Sequence, residues 1–440
     1  MGGSSLRERV QPENVFAPAA GRRLGVYLPR AFRFRLARRQ IAFGILGALF
    51  VFLAFAYTQR HEYADDAAEL SRSIIGDENT ARLEGWYFAA QDRVDRWKYS
   101  VFGGSTTPFE DEAELAALAA TDRLTAEQIA AAVIPDPLET ATHYFIPYVP
   151  PKLKPFELPA THALRDDLAA GEGVWTTEGL PHTSPEDVLM AKTFIRPDKA
   201  RPYASVGVLA LDQRRISLHM VGGTEHPGGD RGVKGPGVIP VELRPLLLAA
   251  WNGGFQGPHG GYGMIADGKT YRPLRNGFAS VAVLADGTIQ MGEWGKSIVW
   301  RDDMVAVRQN AVLLVDNCEV SPRTKEGNNT WGYVQVDSSE FITWRSAIGL
   351  TQNGDLLVAA GNSLSAETLA KAMWAAGACW AMQLDINVSY VLTSLYFAQP
   401  DGTMKPAKFI SGMSDNAGRF FNTQSRDFMY LTLDETRFVP

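Results

Sequence analysis

The chain has 440 residues, 45% of them hydrophobic and 21% charged, with a formal net charge of -6. That is enough apolar material for one large or two medium globular cores, and it carries no signature of wholesale disorder. The mildly acidic balance weighs against nucleic acid as a partner, because duplex binding depends on Lys and Arg neutralising phosphates. Cys318 and Cys379 stand far apart, without the paired spacing of a zinc or redox site. They read either as a disulfide made in an oxidising compartment or as two buried thiols. No metal site and no cofactor are implied.

Residues 1–39 mix Gly, Pro, Ser and Arg without apolar periodicity and read as a basic tail on the cytoplasmic side. The uncharged run Ile41–Tyr57, within a segment placed at 40–58, is of a length that crosses a bilayer as a helix. Arg22, Arg23, Arg30, Arg33, Arg35, Arg38 and Arg39 precede it, whereas Glu62, Asp65, Asp66 and Glu69 follow Arg60. This steep positive-inside bias predicts a single-pass plasma-membrane protein with its N-terminus in the cytoplasm and its main domain outside. A competing reading takes Ala54-Phe55-Ala56 as the small-x-small site of a cleaved signal. Both readings export the remainder.

Residues 59–160 read as a helical membrane-proximal region or stalk. Leu83, Tyr87, Ala90, Val94, Trp97 and Val101 recur at spacings of four and three, which predicts a helix from about Asn79 with one apolar seam. The seam is expected to pack on its own domain, with a self-associating coiled coil as the alternative. An Ala-rich helix is predicted over Asp111–Val133, with Thr125 and Gln128 spaced as a capping box. Prolines crowd Tyr144–Pro159 and set the join to the main domain, 161–440.

From Lys192 the pattern becomes alternating apolar segments broken by turns. Val206 and Val208, then Ile216, Leu218 and Met220, are expected to share a sheet face. Asp286-Gly287 and Asn353-Gly354 each separate two apolar runs and predict hairpins. A helix is expected in LSAETLAKAMWAAG, with Ser365 as N-cap and Gly377 as its stop, followed by the strand WAMQLDI. The fold class is therefore α+β: a mixed, mainly antiparallel, β-rich domain with inserted helices, preceded by one transmembrane helix and a helical stalk.

Three places carry candidate chemistry. Asn252, Gly253, Gly254 and Phe255 open a loop dense in glycine, where backbone can approach a ligand closely. In that loop His259 reads as an acid, base or phosphate contact, or as a solvated side chain, and Asp267 reads first as a turn former beside Gly268. Arg345 lies at the start of a hairpin strand, where a guanidinium forks onto phosphate or carboxylate oxygens, or simply pairs at the surface. Asp385 ends an apolar strand, with Asn387 and Ser389 just behind it. A carboxylate there is costly to desolvate unless it is paired, capping a turn, or used.

AAWNGGF with Gly263–Lys269, RQNAVLLVDN (Arg308–Asn317, including Asn310) with WRSAIGL, and LSAETLAKAMWAAGACWAMQLD together resemble the phosphodiester glycosidase family, over roughly Gly171 to Arg419. The resemblance implies a sugar–phosphate or glycan substrate. It implies catalytic roles for Asp385, as nucleophile or base, and for Arg345, as phosphate holder. Asn252, Gly253, Gly254, Phe255, His259, Asp267, Asn310, Asn387 and Ser389 would then bind substrate. One carboxylate suffices, since phosphate leaves without the strong general acid that an alkoxide demands. The family's Asp-Gly-Gly-Gly-Ser signature is altered to Asp385-Ile386-Asn387-Val388-Ser389. The implied function is a membrane-anchored extracytoplasmic hydrolase of sugar 1-phosphodiester or related envelope glycan bonds. The alternative is a non-catalytic glycan-binding or envelope polysaccharide assembly protein. A metal-dependent phosphodiesterase ranks last.

Overall fold

The computed structural model describes residues 76–104, 107–109, 112–124, 155–332 and 341–434. The basic tail, the apolar run Ile41–Tyr57 and the Thr125/Gln128 capping box lie outside the described residues, as does most of the proline-rich join. Among the described residues no helix is long and apolar enough to cross a membrane.

Three sheets form the body, and every strand pairing among the described residues is antiparallel. The first has seven strands in the order β1-β2-β13-β12-β14-β10-β11. They are β1 (Met190–Ile195), β2 (Val206–Leu211), β10 (Leu313–Asp316), β11 (Glu319–Val320), β12 (Thr343–Thr351), β13 (Leu356–Leu364) and β14 (Ala378–Gln383). The second has five, ordered β16-β15-β4-β17-β3: β3 (Ile216–Val221), β4 (Leu247–Asn252), β15 (Thr393–Ala398), β16 (Met404–Lys408) and β17 (Phe428–Leu433). The third, ordered β6-β5-β9-β7-β8, holds β5 (Met264–Ala266), β6 (Lys269–Arg272), β7 (Ala279–Leu284), β8 (Ile289–Glu293) and β9 (Met304–Gln309).

The central strands of the first sheet are apolar at nearly every position because both faces are covered. Side chains alternate across a strand. Leu356, Val358 and Ala360 of β13 therefore enter a core shared with the second sheet, and Leu357 and Ala359 enter another beneath a helix. That helix is α3 (Ala366–Ala375), which follows α1 (Asp77–Phe102) and α2 (Glu112–Thr121). Ser365 and Thr368 form its capping box, and Gly377 follows at φ 94°. Both expected hairpins form, β7–β8 at Gly287 (φ 78°) and β12–β13 at Gly354 (φ 90°).

Three expectations change. The helix expected over Asp111–Val133 as part of a stalk ends, as α2, at Thr121; it places Leu115 and Leu118 in the core, and Asp122 accepts from His182 N and Ala398 N. Val206 and Val208 lie on β2 in the first sheet, whereas Ile216, Leu218 and Met220 lie on β3 in the second. Between them Asp212 caps a 3-10 turn, Gln213–Arg215, by accepting from Arg214 N, and the chain crosses from one sheet to the other. The helix expected from the apolar seam forms as α1, but the C-terminal part of the seam does not pack on the domain: Val94, Trp97 and Val101 are exposed. The docked face is polar and aromatic. Asp92 accepts from Arg201 Nε at 2.8 Å and Tyr203 OH at 2.7 Å, and the rings of Phe88 and Phe341 meet at 5.6 Å. Burial alone would raise the Asp92 carboxyl, but those donors hold it below its usual range. A buried carboxylate with a fitted guanidinium partner thus orients the helix against its own apolar periodicity.

Cys318 and Cys379 are joined in a disulfide that closes a 61-residue separation, linking the turn after β10 to β14. Chain-entropy arguments give such a loop about 4 kcal/mol of stabilisation. Reduction, or the double Cys→Ser variant, is expected to lower unfolding free energy by about 2–4 kcal/mol in urea titrations, without altering secondary structure.

On β3, His219 stacks on Tyr430 with ring centroids 4.5 Å apart and meets Thr432 Oγ1 at 2.9 Å. Burial pushes its imidazole down to about 4. The unfolded chain therefore binds the extra proton at pH values between that and the ordinary value near 6.5. Stability is fully present above about 6.5 and falls as pH drops toward 4, by up to about 3 kcal/mol. His219→Gln is expected to flatten that part of the stability–pH curve.

Candidate functional site

β17 lies between β3 and β4, and Phe428 at its start pairs with Val221 and with Asn252, the last residues of those strands. The segments beyond these three ends, 222–226, 253–256 and 425–427, therefore converge at one end of the second sheet. The chain leaving β14 joins them, since Asp385 N donates to Gly253 O at 2.9 Å.

Arg426, at a bend, and Asp427 are neighbours just before β17, and their side chains reach different partners. Asp427 turns inward and pairs with Arg308 of β9, Oδ2 to Nε at 2.8 Å and Oδ1 to Nη2 at 3.1 Å, with both side chains almost completely buried. The remaining Arg308 donors reach the carbonyls of Phe255, Gln309 and Tyr262, and Gly254 N donates to Asp427 Oδ2 at 3.1 Å. A buried charge pair is tolerable only when so fully hydrogen-bonded. It also explains the paired glycines. A Cβ on Gly253 would sit 2.0 Å from Asp427 Oδ2, and one on Gly254 2.8 Å from the Arg308 guanidinium.

Arg426 turns toward Asp385, Nη1 to Oδ2 at 2.9 Å. Its guanidinium lies 3.3 Å over the Tyr390 ring, and Gln256, with its carboxamide oxygen facing inward, accepts from Nε at 2.8 Å and Nη2 at 2.7 Å. Asp385 Oδ1 accepts from the backbone N–H groups of Ile386 and Asn387 at 2.7 and 3.1 Å, so its carboxylate meets three donors. Tyr390 OH and Ser425 Oγ are 3.4 Å apart. His226 N donates to Ser425 O, and its imidazole is pushed below the usual histidine range by burial and then by the Arg426 charge. A carboxylate, a guanidinium, a neutral imidazole and hydroxyl groups are thereby gathered at one sheet end.

The turn Asp385–Ser389 is held by its own side chains. Asp385 Oδ1 and Asn387 Oδ1 cap the turn from within, the latter accepting from Ser389 N at 3.2 Å, and no residue from Ile386 to Ser389 takes a positive φ. Side-chain caps hold here without glycine's conformational freedom. Ser389 Oγ is buried with no hydrogen-bond partner among the described residues.

Other expected site residues serve the scaffold. Asn252 is buried, donating to Ser346 Oγ and accepting from Leu392 N, while Ser346 Oγ donates to Asp385 O. Asn310 joins Phe255 N to Gln383 O, and Phe255 itself is in the core. His259 lies in the glycine loop with its N–H donated to Gln256 O. Asp267 takes φ 52° in the β5–β6 turn and accepts from Tyr271 OH, the turn-forming role that its sequence neighbour Gly268 suggests.

Arg345 departs most from expectation. Only 1% exposed, it donates inward to the carbonyls of Leu364, Trp331 and Phe341 and to Gln383 Oε1, and burial lowers its pKa from the usual value. It ties β12 to the chain on either side instead of presenting a fork to a ligand. Arg345→Met orphans these acceptors and is expected to cost on the order of 3 kcal/mol or more in urea unfolding.

Arg426, Tyr390, Gln256 and His226 were not singled out from sequence. The one local signal is the opposite-charge dipeptide Arg426-Asp427 at the mouth of the apolar strand FMYLTL.

Residues 247–400 match the model of the phosphodiester glycosidase family, so the resemblance read from the motifs holds over that span. No curated protein sequence matches the chain. Among solved structures, the catalytic domain of zebrafish N-acetylglucosamine-1-phosphodiester alpha-N-acetylglucosaminidase, auto-inhibited by its pro-peptide, is similar at 17% identity and a TM-score of 0.36, covering 58% of this chain and 86% of that one. A hypothetical protein from Synechocystis overlaps at 11% identity and TM-score 0.31, over 56% of this chain and 62% of its own. A protein from Burkholderia pseudomallei overlaps at 13% and 0.24, over 52% and 74%.

Proposed function

We propose that this chain, whose residues 247–400 carry the phosphodiester glycosidase match, hydrolyses the bond between a sugar and phosphate in a glycan 1-phosphodiester. The observation that carries this reading is the Asp385–Arg426 pair, 2.9 Å apart and nearly buried, at the point where the ends of β14, β4 and β17 meet. Asp385, whose carboxylate is oriented by its three donors, is the group that meets the anomeric carbon, either directly or through a water it activates. Arg426 replaces Arg345 as the group that faces the departing phosphate. Its orientation is fixed beforehand by Tyr390 and Gln256, so little reorganisation is needed as charge develops. His226, neutral near pH 7, is the nearby proton acceptor.

The domain is placed outside the cytoplasm, anchored by Ile41–Tyr57. The arginine bias around that run supports this, as does the Cys318–Cys379 disulfide, since such bonds persist in oxidising compartments. A second reading, a glycan holder without catalysis, draws support from the three donors already engaged by Asp385 and from the altered signature.

The test incubates purified protein with a panel of sugar 1-phosphodiesters in 18O-labelled water. Label entering the sugar, with phosphomonoester released, is the expected result. Label in the phosphate would indicate phosphodiesterase chemistry, and glycan binding with no turnover would indicate the holder. Asp385→Asn is expected to lose about 10²–10⁴-fold in kcat/KM. Arg426→Lys is expected to lose roughly 10²-fold or more while remaining folded. Because the His226 pKa is lowered, the acid limb of the rate profile is expected below the ordinary value of about 6.5, and His226→Gln should abolish it.

A further inference from the structure

We propose that the outward face of α1 lies along a lipid surface at the depth of the head groups. Trp86 (59% exposed), Val94 (47%), Trp97 (58%) and Val101 (55%) follow one another with Ala90 at spacings of four, four, three and four, so they form one stripe. Phe102, 75% exposed, extends it through an edge contact with Trp97, ring centroids 6.0 Å apart. Large apolar side chains gathered on one exposed helix face mark an interaction surface. The helix cannot turn them inward, because Asp92 is locked to Arg201 and Tyr203, and the ring of Phe88 to that of Phe341, on the opposite side.

The chemistry of the stripe selects its occupant. Two tryptophans side by side suit the boundary between head groups and acyl chains, where an amphipathic ring has one wet and one dry side. Exposed Arg93 and Lys98 flank the stripe on its two edges, placed for their stems to lie along apolar surface while their charges meet anionic head groups. A second copy of the helix fits poorly: both flanks are basic, whereas paired helices want opposite charges beside the seam. Position in the chain agrees. Asp77 follows Tyr57, the end of the apolar run, by twenty residues, so the stripe is tethered near any bilayer that this run enters. This inference rests on the anchoring proposed above and is independent of the hydrolytic reading.

The experiment uses the full chain in vesicles of phosphatidylcholine with phosphatidylglycerol. A fluorescent label is placed at Val94→Cys on the stripe and, as a control, at Gln91→Cys off it; the native cysteines are engaged with each other. The expected result is loss of Val94 label fluorescence to lipid spin labels located roughly 5–10 Å below the head groups, with protection from aqueous iodide. The Gln91 label is expected to show the reverse. Protein that floats with the vesicles while the Val94 label is as iodide-sensitive as the control overturns the helix proposal and leaves the anchor standing. Self-quenching relieved by unlabelled chain, without lipid quenching, assigns the face to a second copy and also overturns it. Protein that does not float overturns both the anchor and the helix proposal.

Discussion

The buried pair between Arg308 and Asp427 is the constraint on which the proposed site depends. It joins the third sheet, through β9, to the entrance of β17 in the second, and each of its oxygens and nitrogens is satisfied by charge or main chain. Because a half-made pair would leave an uncompensated charge in the interior, the arrangement is all or nothing. The close approach that completes it requires glycine at 253 and 254. What reads in the sequence as a loop shaped for a ligand is, at these two positions, shaped for the protein's own ion pair.

With Asp427 fixed inward, its neighbour Arg426, at the bend before β17, reaches Asp385. The positions of the charged groups in the site therefore follow from a scaffold that is not itself part of the chemistry. Asn252, Ser346 and Asn310 act in the same way, tying the ends of β4, β12 and β14 so that Asp385 emerges beside Gly253. Arg345 supports the neighbouring ends of β12 through main-chain carbonyls. For the hydrolysis proposed above, groups held by such buried polar contacts would need little reorganisation as charge develops in a substrate.

Periphery and centre are built on the same rule. In α1, as around Asp427, a carboxylate with fitted donors decides orientation, and apolar side chains take what remains. The consequence differs: inside the domain the rule fixes a site, and at its edge it leaves tryptophans outward.

Local sequence determined the elements whose cause is local. The Asp-Gly and Asn-Gly hairpins, the Ser365 cap with its Gly377 stop, and the turn at Asp267 each depend on backbone preferences within a few residues, and all form as read. The glycosidase motifs were legible because they are contiguous, and Asp385 stood out as a carboxylate ending an apolar strand. Partnership across the chain was not legible. That Val206 and Ile216 enter different sheets, that Arg345 faces inward while Arg426 meets Asp385, and that the seam of α1 faces outward are decided by which distant group satisfies a buried charge. Pattern records how a segment divides apolar from polar; only tertiary structure says which partner, 41 residues from Asp385 or 119 from Arg308, makes burial of a charge affordable.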